Sequence, residues 1–335
     1  MIRRGAVLAG LLVAAGAAPL RAQEGTALDP QCAGGALLMQ DACQQAADLF
    51  RFLAPQLGGV VAGGNALLGD AATLGGRGRW AMELRINSML GGLPAVDALA
   101  PDTGRAQRHR IPIVDQPVAL PLASGAIGVE RGIVTAGGSR VGGLDLLVGA
   151  SFLPSIDAAG LSLDAGRIAL AYGLRLGIVE GVHGSPSLVA TWLHRDLPGL
   201  SIVGTSGDSR VEVRDVAVRT DAWRLVGGTA LGPLRLAGGF GLERYASRAD
   251  VFVSLGESDC DAGTSCSGSP FPDGFAQTLV RRAYFVDASL PVGGTELVLE
   301  LGRVSGGRVE SYNEFVGQQP GAARWTAALG VRYQR

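Results

Sequence analysis

Residues 167–178 constrain this chain more than any other stretch. Ile168, Leu170, Tyr172, Leu174, Leu176 and Ile178 share one parity, and Arg167, Ala169, Ala171, Gly173, Arg175 and Gly177 share the other. A period of two is the signature of a β-strand, whose side chains point alternately to opposite faces. Twelve alternating residues extend roughly 40 Å at ~3.3 Å per residue. Ordinary strands hold about 5–6 residues, whereas a tilted strand that crosses a bilayer uses ~9–11.

The design recurs from residue 79 to the end. Trp80, Met82, Leu84 and Ile86 oppose Arg79, Glu83, Arg85 and Asn87. Leu144, Leu146, Val148, Ala150 and Phe152 oppose Asp145, Gly149 and Ser151. Leu234, Leu236, Phe240 and Leu242 oppose Arg235, Gly239, Gly241 and Glu243; Leu297, Leu299 and Leu301 oppose Glu296, Glu300 and Gly302. Trp325, Leu329, Val331 and Tyr333 oppose Arg324, Thr326, Gly330, Arg332 and Gln334. Less regular segments lie near 118–131, 186–195, 210–219, 221–230, 245–255 and 279–290, with the longest loops at 97–117, 256–276 and 305–321.

A soluble, periplasmic β-sandwich alternates too. Here the strands are long, charges sit mid-strand opposite large aliphatics, and the second parity is rich in Gly and Ala. Small and charged residues suit the crowded inside of a barrel, while an aliphatic outside suits lipid. Only a closed sheet satisfies every backbone group in a bilayer. The expectation is an all-β fold, an antiparallel transmembrane β-barrel over residues 77–335. At about 20 residues per strand and loop it would hold about 12 strands, within a range of 10–14. Two features stand against it: aromatics make up 5% of the chain, and the last residues, Tyr333-Gln334-Arg335, do not end on an aromatic.

Ahead of the strands, Met1-Ile2-Arg3-Arg4, an apolar run from Gly5 to Ala18, and Pro19-Leu20-Arg21-Ala22 have the layout of a cleaved signal peptide over residues 1–22. No Cys follows the apolar run directly, which disfavours a lipoprotein. Met39, Ala42, Cys43, Ala46, Leu49, Phe50 and Leu53 recur at helical spacing, which predicts a helix over 36–54 ended by Pro55. The Gly-rich stretch that follows, Gly58-Gly59 through Gly75-Gly76, reads as an extended segment packed inside something larger. Residues 23–76 thus form an N-terminal unit. The cysteines fall in two local pairs, Cys32 with Cys43 and Cys260 with Cys266. In an exported chain that pattern predicts two disulfides.

The net charge of −1 argues against nucleic-acid binding. All 29 basic residues are Arg, which codon bias in a GC-rich genome explains, and the 52 glycines show no collagen-like period. His109, His183 and His194 lack metal-ligand spacing. A hydrolytic His with Ser185 or Asp196 has no supporting motif, so no catalytic residue, no metal and no cofactor is expected. Glu257, Asp259 and Asp261 around Cys260 read as a solvated loop in preference to a Ca²⁺ site. The candidate lumen-lining set is Arg79, Glu83, Arg85, Arg167, Arg175, Arg235, Glu243, Glu300, Arg324 and Arg332. In an open pore such arginines would favour anions; in a filled barrel they would pair internally.

These features together resemble bacterial outer-membrane β-barrels of the porin-like kind. The order of helix, Gly64-Asn65, Gly69-Asp70-Ala71-Ala72 and first strand is similar to fatty-acid-transporter-type barrels, whose N-terminal segment plugs the lumen. Those families often carry an Asn-Pro-Ala turn here, and this chain does not. The resemblance implies an outer-membrane location, lipid as a partner, and passage of a hydrophobic solute around a plug formed by residues 23–76; the wider expectation is a channel or transporter for small solutes. A non-transport structural or assembly barrel is the alternative, and an outer-membrane hydrolase the third.

Overall fold

A computed structural model describes residues 27–34, 37–95, 104–152, 156–158, 161–164, 168–181, 185–206, 209–254, 267–268 and 274–335. Ten strands close into one ring: β1 Trp80–Pro94, β2 Arg110–Glu130, β3 Leu144–Phe152, β4 Ile168–Val179, β5 Ser187–Ser206, β6 Ser209–Leu231, β7 Leu234–Ser254, β8 Phe275–Val292, β9 Thr295–Val304 and β10 Arg324–Gln334. Each pairs antiparallel with its neighbours in sequence, and β1 pairs with β10 to complete the circle. Mutual backbone hydrogen bonds between Trp80 and Arg335 seal that seam at 2.9 and 3.0 Å. Shorter strands sit outside the ring, such as Glu314–Val316 alongside the start of β2.

The two ends of the barrel differ. At one end, which holds the start of β1 and the end of β10, β6 and β7 are joined by Gly232-Pro233 and β8 and β9 by Gly293-Gly294, with φ of 62° at Gly232 and 63° at Gly293. That backbone favours glycine, and such two-residue turns set the hairpin register. At the other end β1 and β2, and β9 and β10, are joined by loops of 95–109 and 305–323. We call these the turn end and the loop end.

Ten strands replace the expected twelve, still within the expected range. The segments 210–219 and 221–230 are one strand, β6, and 234–243 and 245–255 are one strand, β7. The reason lies in polarity. In the turn half of β6, Trp223 points outward and Arg224 inward; in the loop half Val211, Val213, Val216 and Val218 are buried inside and Arg219 points out. β7 likewise switches from Leu242 outside and Glu243 inside to Arg244 outside and Val251 and Val253 inside. The apolar face changes side while the strand runs on. A bulge between Arg214 and Ala217, with Asp215 at φ 50°, adds an irregularity to β6. β2 also starts earlier than the loop assigned to 97–117 allowed, at Arg110.

Outside, the turn half is a continuous aliphatic wall. Leu84, Leu170, Leu297, Leu301 and Val331 stand exposed, Leu84 at 69% and Leu170 at 70%. Aromatics bracket it. Trp80 and Tyr333 meet at 5.4 Å near the turn end, while Tyr172, Trp192 and Trp223 form a chain at 5.8 and 6.2 Å higher up, with Tyr284 and Trp325 also outward. The eight steps from Trp325 to Tyr333 on β10 span roughly 26 Å along the strand, or about 20 Å across a bilayer at a tilt near 40°. That approaches the ~25 Å apolar band of outer-membrane barrels. Few aromatics suffice because they gather at two levels.

The lumen is filled by the N-terminal segment. Helix α1 covers Pro30–Gly34, and helix α2 runs Gln40–Ala62. This corrects the expected helix of 36–54: Pro55 lies within α2 and Gly58 and Gly59 are helical. A proline inside a helix costs about 3 kcal/mol in isolation, but α2 is enclosed, with nearly every residue from Gln40 to Ala62 buried. The glycines are there for clearance. A Cβ on Gly58 would lie 2.7 Å from the Tyr245 ring, and one on Gly59 2.1 Å from the Met89 methyl. Cys32 and Cys43 are bonded, with Cα atoms 5.6 Å apart, tying α1 to the first turns of α2. The leader assigned to residues 1–22, and the predicted Cys260–Cys266 pair, lie outside the described residues.

Candidate functional site: a plugged, charge-lined lumen

The N-terminal segment descends the lumen from the loop end to the turn end. At the top, Asp41 holds His109 Nε2 at 3.0 Å and accepts from Gln107 N at 2.8 Å. Asp48 accepts from the backbone N–H of Asn313 at 2.8 Å and of Tyr312 at 3.1 Å. Both partners belong to loop-end loops. Burial pushes the Asp48 carboxyl up to about 6, against the hydrogen bonds from Asn313 and the charge of Arg51. Around α2 the wall is apolar: Leu197, Leu200, Ile202, Val211, Val213, Val218, Val251, Val253 and Phe275 pack on Phe50, Leu53 and Val60. The loop half of the barrel interior is therefore mainly apolar, with the buried polar residues of α2 facing the loops and Arg281 and Arg324 set into the wall.

Below residue 60 the wall becomes charged. An α-helix leaves its last carbonyls unpaired, with a partial negative charge there. Here barrel arginines supply the donors. Arg195 Nη1 donates to Val61 O at 3.2 Å and also to Ala62 O, and Arg224 Nη2 donates to Ala62 O at 2.8 Å and to Gly63 O. Arg224 also pairs with Glu243 at 2.8 Å, and Tyr245 donates its hydroxyl to the same carboxylate.

One layer down, Asn65 is held on several sides. Its N–H donates to Glu300 at 2.6 Å, its amide to Asp287 at 2.8 Å, and its carbonyl accepts from Arg85 at 2.6 Å. Gly64 leaves the gap that makes this possible, since a Cβ there would fall 1.6 Å from Glu300 Oε1. Glu83 faces Arg85 at 3.4 Å and accepts from Leu68 N at 3.0 Å; Arg332 donates to Leu68 O and pairs with Glu296. Near the turn end, Arg175 clasps Asp145 through Nε at 2.9 Å and Nη2 at 2.8 Å, and Asp145 also accepts from Leu74 N. Glu180 accepts from Thr73 N at 2.6 Å.

The structure thus places Glu83, Arg85, Arg175, Glu243, Glu300 and Arg332 inside the lumen, buried and joined to the plug or to other residues of the wall. Arg324 is inside the loop half, bonded to Gln318 at 2.7 Å and lying over the Phe52 ring at 5.7 Å. Arg79 and Arg235 sit at the turn end, where they help line a cavity of about 430 Å³ with Asp70, Thr73 and Arg335. Arg167 lies outside the described residues. Arg195, Arg224, Asp145, Asp287 and Glu296 belong to the network but were not among the candidates. Asp145 and Glu296 carry the same inward parity in regular strands, while that of Arg195, Arg224 and Asp287 is diluted in β5, β6 and β8 by the irregular apolar pattern.

Two of the three histidines, His109 and His194, lie among the described residues, and each is paired with a carboxylate. His194 faces outward with Nδ1 on Asp221 at 2.8 Å and Nε2 near Asp196 at 3.4 Å, so each ring nitrogen faces a carboxylate. His183, and the acidic residues 257–261, lie outside the described residues. Among the described residues no group of side chains has the makings of a metal site.

A closed antiparallel ring, aliphatic outside between two aromatic levels and charged within, defines a transmembrane β-barrel of the bacterial outer-membrane kind. No family model matches the sequence, and no curated protein matches it either. Among solved structures, the chain is similar to the translocator domain of the autotransporter NalP from Neisseria meningitidis. The two are 12% identical, with 76% of this chain and 87% of that chain covered at a TM-score of 0.39. It is similar to the outer membrane protease OmpT from Escherichia coli, 10% identical, with 80% and 100% covered at a TM-score of 0.33. A Pseudomonas aeruginosa FadL homologue is 9% identical, with 82% and 97% covered at a TM-score of 0.28. These likenesses lend this chain no activity; the barrel assignment rests on its own closed sheet and exterior.

Proposed function

We propose that this protein is an outer-membrane barrel for a small solute that is held shut at rest by its own N-terminal plug. The observation that carries this reading is the chemistry of the plug–wall contact in the turn half. Residues 61–74 meet the wall through a dense set of hydrogen bonds set between small apolar contacts of Ala66, Leu67, Leu68 and Ala71, and the polar contacts exchange for water at modest net cost. The Cys32–Cys43 bond lies within the plug, so no disulfide among the described residues ties plug to wall. Short turns face the periplasm and longer loops the exterior in barrels of this kind, which puts α1 and the first turns of α2 on the outer side.

The second reading is a structural or assembly-partner barrel that transports nothing. The complete burial of Arg175, Arg224 and Arg332 in paired sites favours it, because a displaced plug would leave those charges to be rehydrated.

Planar-bilayer recording separates the two. The intact protein is expected to show little steady conductance, and a variant lacking residues 27–76 discrete, larger steps. A silent deletion variant that retains heat-modifiable gel mobility would favour the structural reading, and a large steady conductance from the intact chain would overturn the plug.

A further inference from the structure

The reversal of polarity on the outer surface fixes where lipid ends. On β7, β8 and β9 the outward residues change from Leu242, Tyr284 and Leu301 to Arg244, Arg282 and Arg303, each exposed. The register makes these three arginines successive diagonal neighbours. Arg244 lies opposite Val280, two residues from Arg282, and Arg303 lies opposite Tyr284, two residues from Arg282 on the other side. Diagonal positions in a sheet are about 7–8 Å apart, close enough for two guanidinium groups to flank one phosphate. Arg248 adds a further outward guanidinium on β7, nearer the loop end.

Asp221 lies directly opposite Arg244 on β6, but its carboxylate is engaged by His194 Nδ1 at 2.8 Å. Among the described residues no carboxylate lies within ion-pair distance of Arg244, Arg248 or Arg282, whereas their neighbour Arg219 has Asp196 at 3.5 Å and Arg224 has Glu243 at 2.8 Å. Arg303 lies over the Trp325 ring at 5.4 Å, which holds its guanidinium at the aromatic level. The arrangement is also one-sided. At the turn end of the same strands the outward residues are Leu236, Leu290, Val292 and Leu297, with no charge among them.

We propose that Arg244, Arg282 and Arg303, with Arg248 beyond them, bind the phosphate groups of an anionic lipid in the outer leaflet, with its acyl chains lying on Leu301, Leu299 and Val286. Guanidinium is suited to this because it meets phosphate oxygens through two parallel hydrogen bonds. Anionic headgroups attract cations placed at the membrane surface, and the attraction decays within a Debye length. The occupant fitted by a row of paired cations is a lipid with more than one phosphate on its headgroup.

The proposal rests on the chain spanning the membrane, and does not depend on whether the lumen conducts. The test uses the whole barrel in neutral detergent, with native mass spectrometry reading bound lipid. The probes are bisphosphorylated lipid A and the same lipid with both phosphates removed. The intact protein is expected to retain the phosphorylated form at least tenfold better. The combined variant Arg244→Gln, Arg282→Gln, Arg303→Gln is expected to bring the two lipids within twofold, while heat-modifiable mobility is unchanged. If that variant does not fold, Arg244→Gln with Arg248→Gln is expected to lower the preference at least threefold. Equal retention of the two lipids by the intact protein would overturn the proposal, as would an unchanged preference in a folded variant. Displacement of the lipid by an equal concentration of inorganic phosphate would also overturn it, by assigning the arginines to free phosphate. Loss of heat-modifiable mobility in the intact protein would instead strike at the barrel reading itself.

Discussion

Arg224 shows how much a single side chain can hold here. It has no exposed side-chain surface, pairs with Glu243 and donates to the last carbonyls of α2. Arg224→Ala would leave a buried carboxylate without its cation, which costs about 3–5 kcal/mol. The paired change Arg224→Met with Glu243→Gln removes both charges and is expected to recover at least half of that loss. Urea unfolding in detergent, followed by the loss of heat-modifiable mobility, measures both. Asp48 gives a pH-dependent counterpart. Its carboxyl is raised to about 6 from 3.8, so the folded state favours the protonated form. The stabilisation is then complete below about pH 4 and is lost as pH rises through about 6, by up to ~3 kcal/mol at 1.36 kcal/mol per unit. Thermal midpoints from pH 4 to 7 should fall more steeply for the native chain than for Asp48→Asn. At this scale the sequence was a partial guide. Glu83, Arg85 and Glu300 were legible because each breaks an otherwise apolar alternation. Arg195 was not, since nothing in a linear pattern shows that the end of a helix comes to rest beside it.

The elements teach a different lesson about alternation. β4 could be read at once because its aliphatic face looks outward along its whole length. The pattern of β6 and of β7 breaks into two segments, since each continues past the aromatic level into a region where the inside is apolar and the outside meets water. Period two survives the crossing; the side that carries the apolar residues does not. Helix α2 was read short for the opposite reason, because Pro55 and Gly58-Gly59 break helices whose stability is their own, and this one is held by the wall around it. That makes Gly58 a sharp test. Alanine is better than glycine in a helix by about 1 kcal/mol, but a Cβ 2.7 Å from Tyr245 forces the overpacking that costs about 1–3 kcal/mol. Gly58→Ala is therefore expected to destabilise the folded barrel, and a rise in its thermal midpoint would show that Tyr245 has room to move. The one described disulfide acts at this scale too. Removing the short loop closure with Cys32→Ser and Cys43→Ser is expected to cost about 2–3 kcal/mol, read as faster proteolysis of the α1 region with the ring strands still protected.

At the scale of the whole molecule, the ring of ten strands carries an aliphatic exterior that fits lipid and an interior that changes from dry core to charged network along its axis. Fractionation with the outer membrane and a gel mobility that shifts on boiling are the expected outcomes, and release into the periplasm with ordinary mobility would contradict the barrel. The path of the N-terminal segment has a consequence for how such an object is made. Residues 30–34 touch the β7–β8 loop, through Gln31 and Gly274 at 2.7 Å, and the chain then runs down the axis before Trp80 opens β1 at the far end. β1 is in turn stitched to β10, the most C-terminal of the described strands. A ring that closes first would have to be threaded by a segment rich in buried ionic contacts. A ring that closes last can curl around that segment as a mandrel, its arginines finding the α2 carbonyls while the wall is still open. The final backbone bonds between Trp80 and Arg335 then become the step that encloses the segment within the ring.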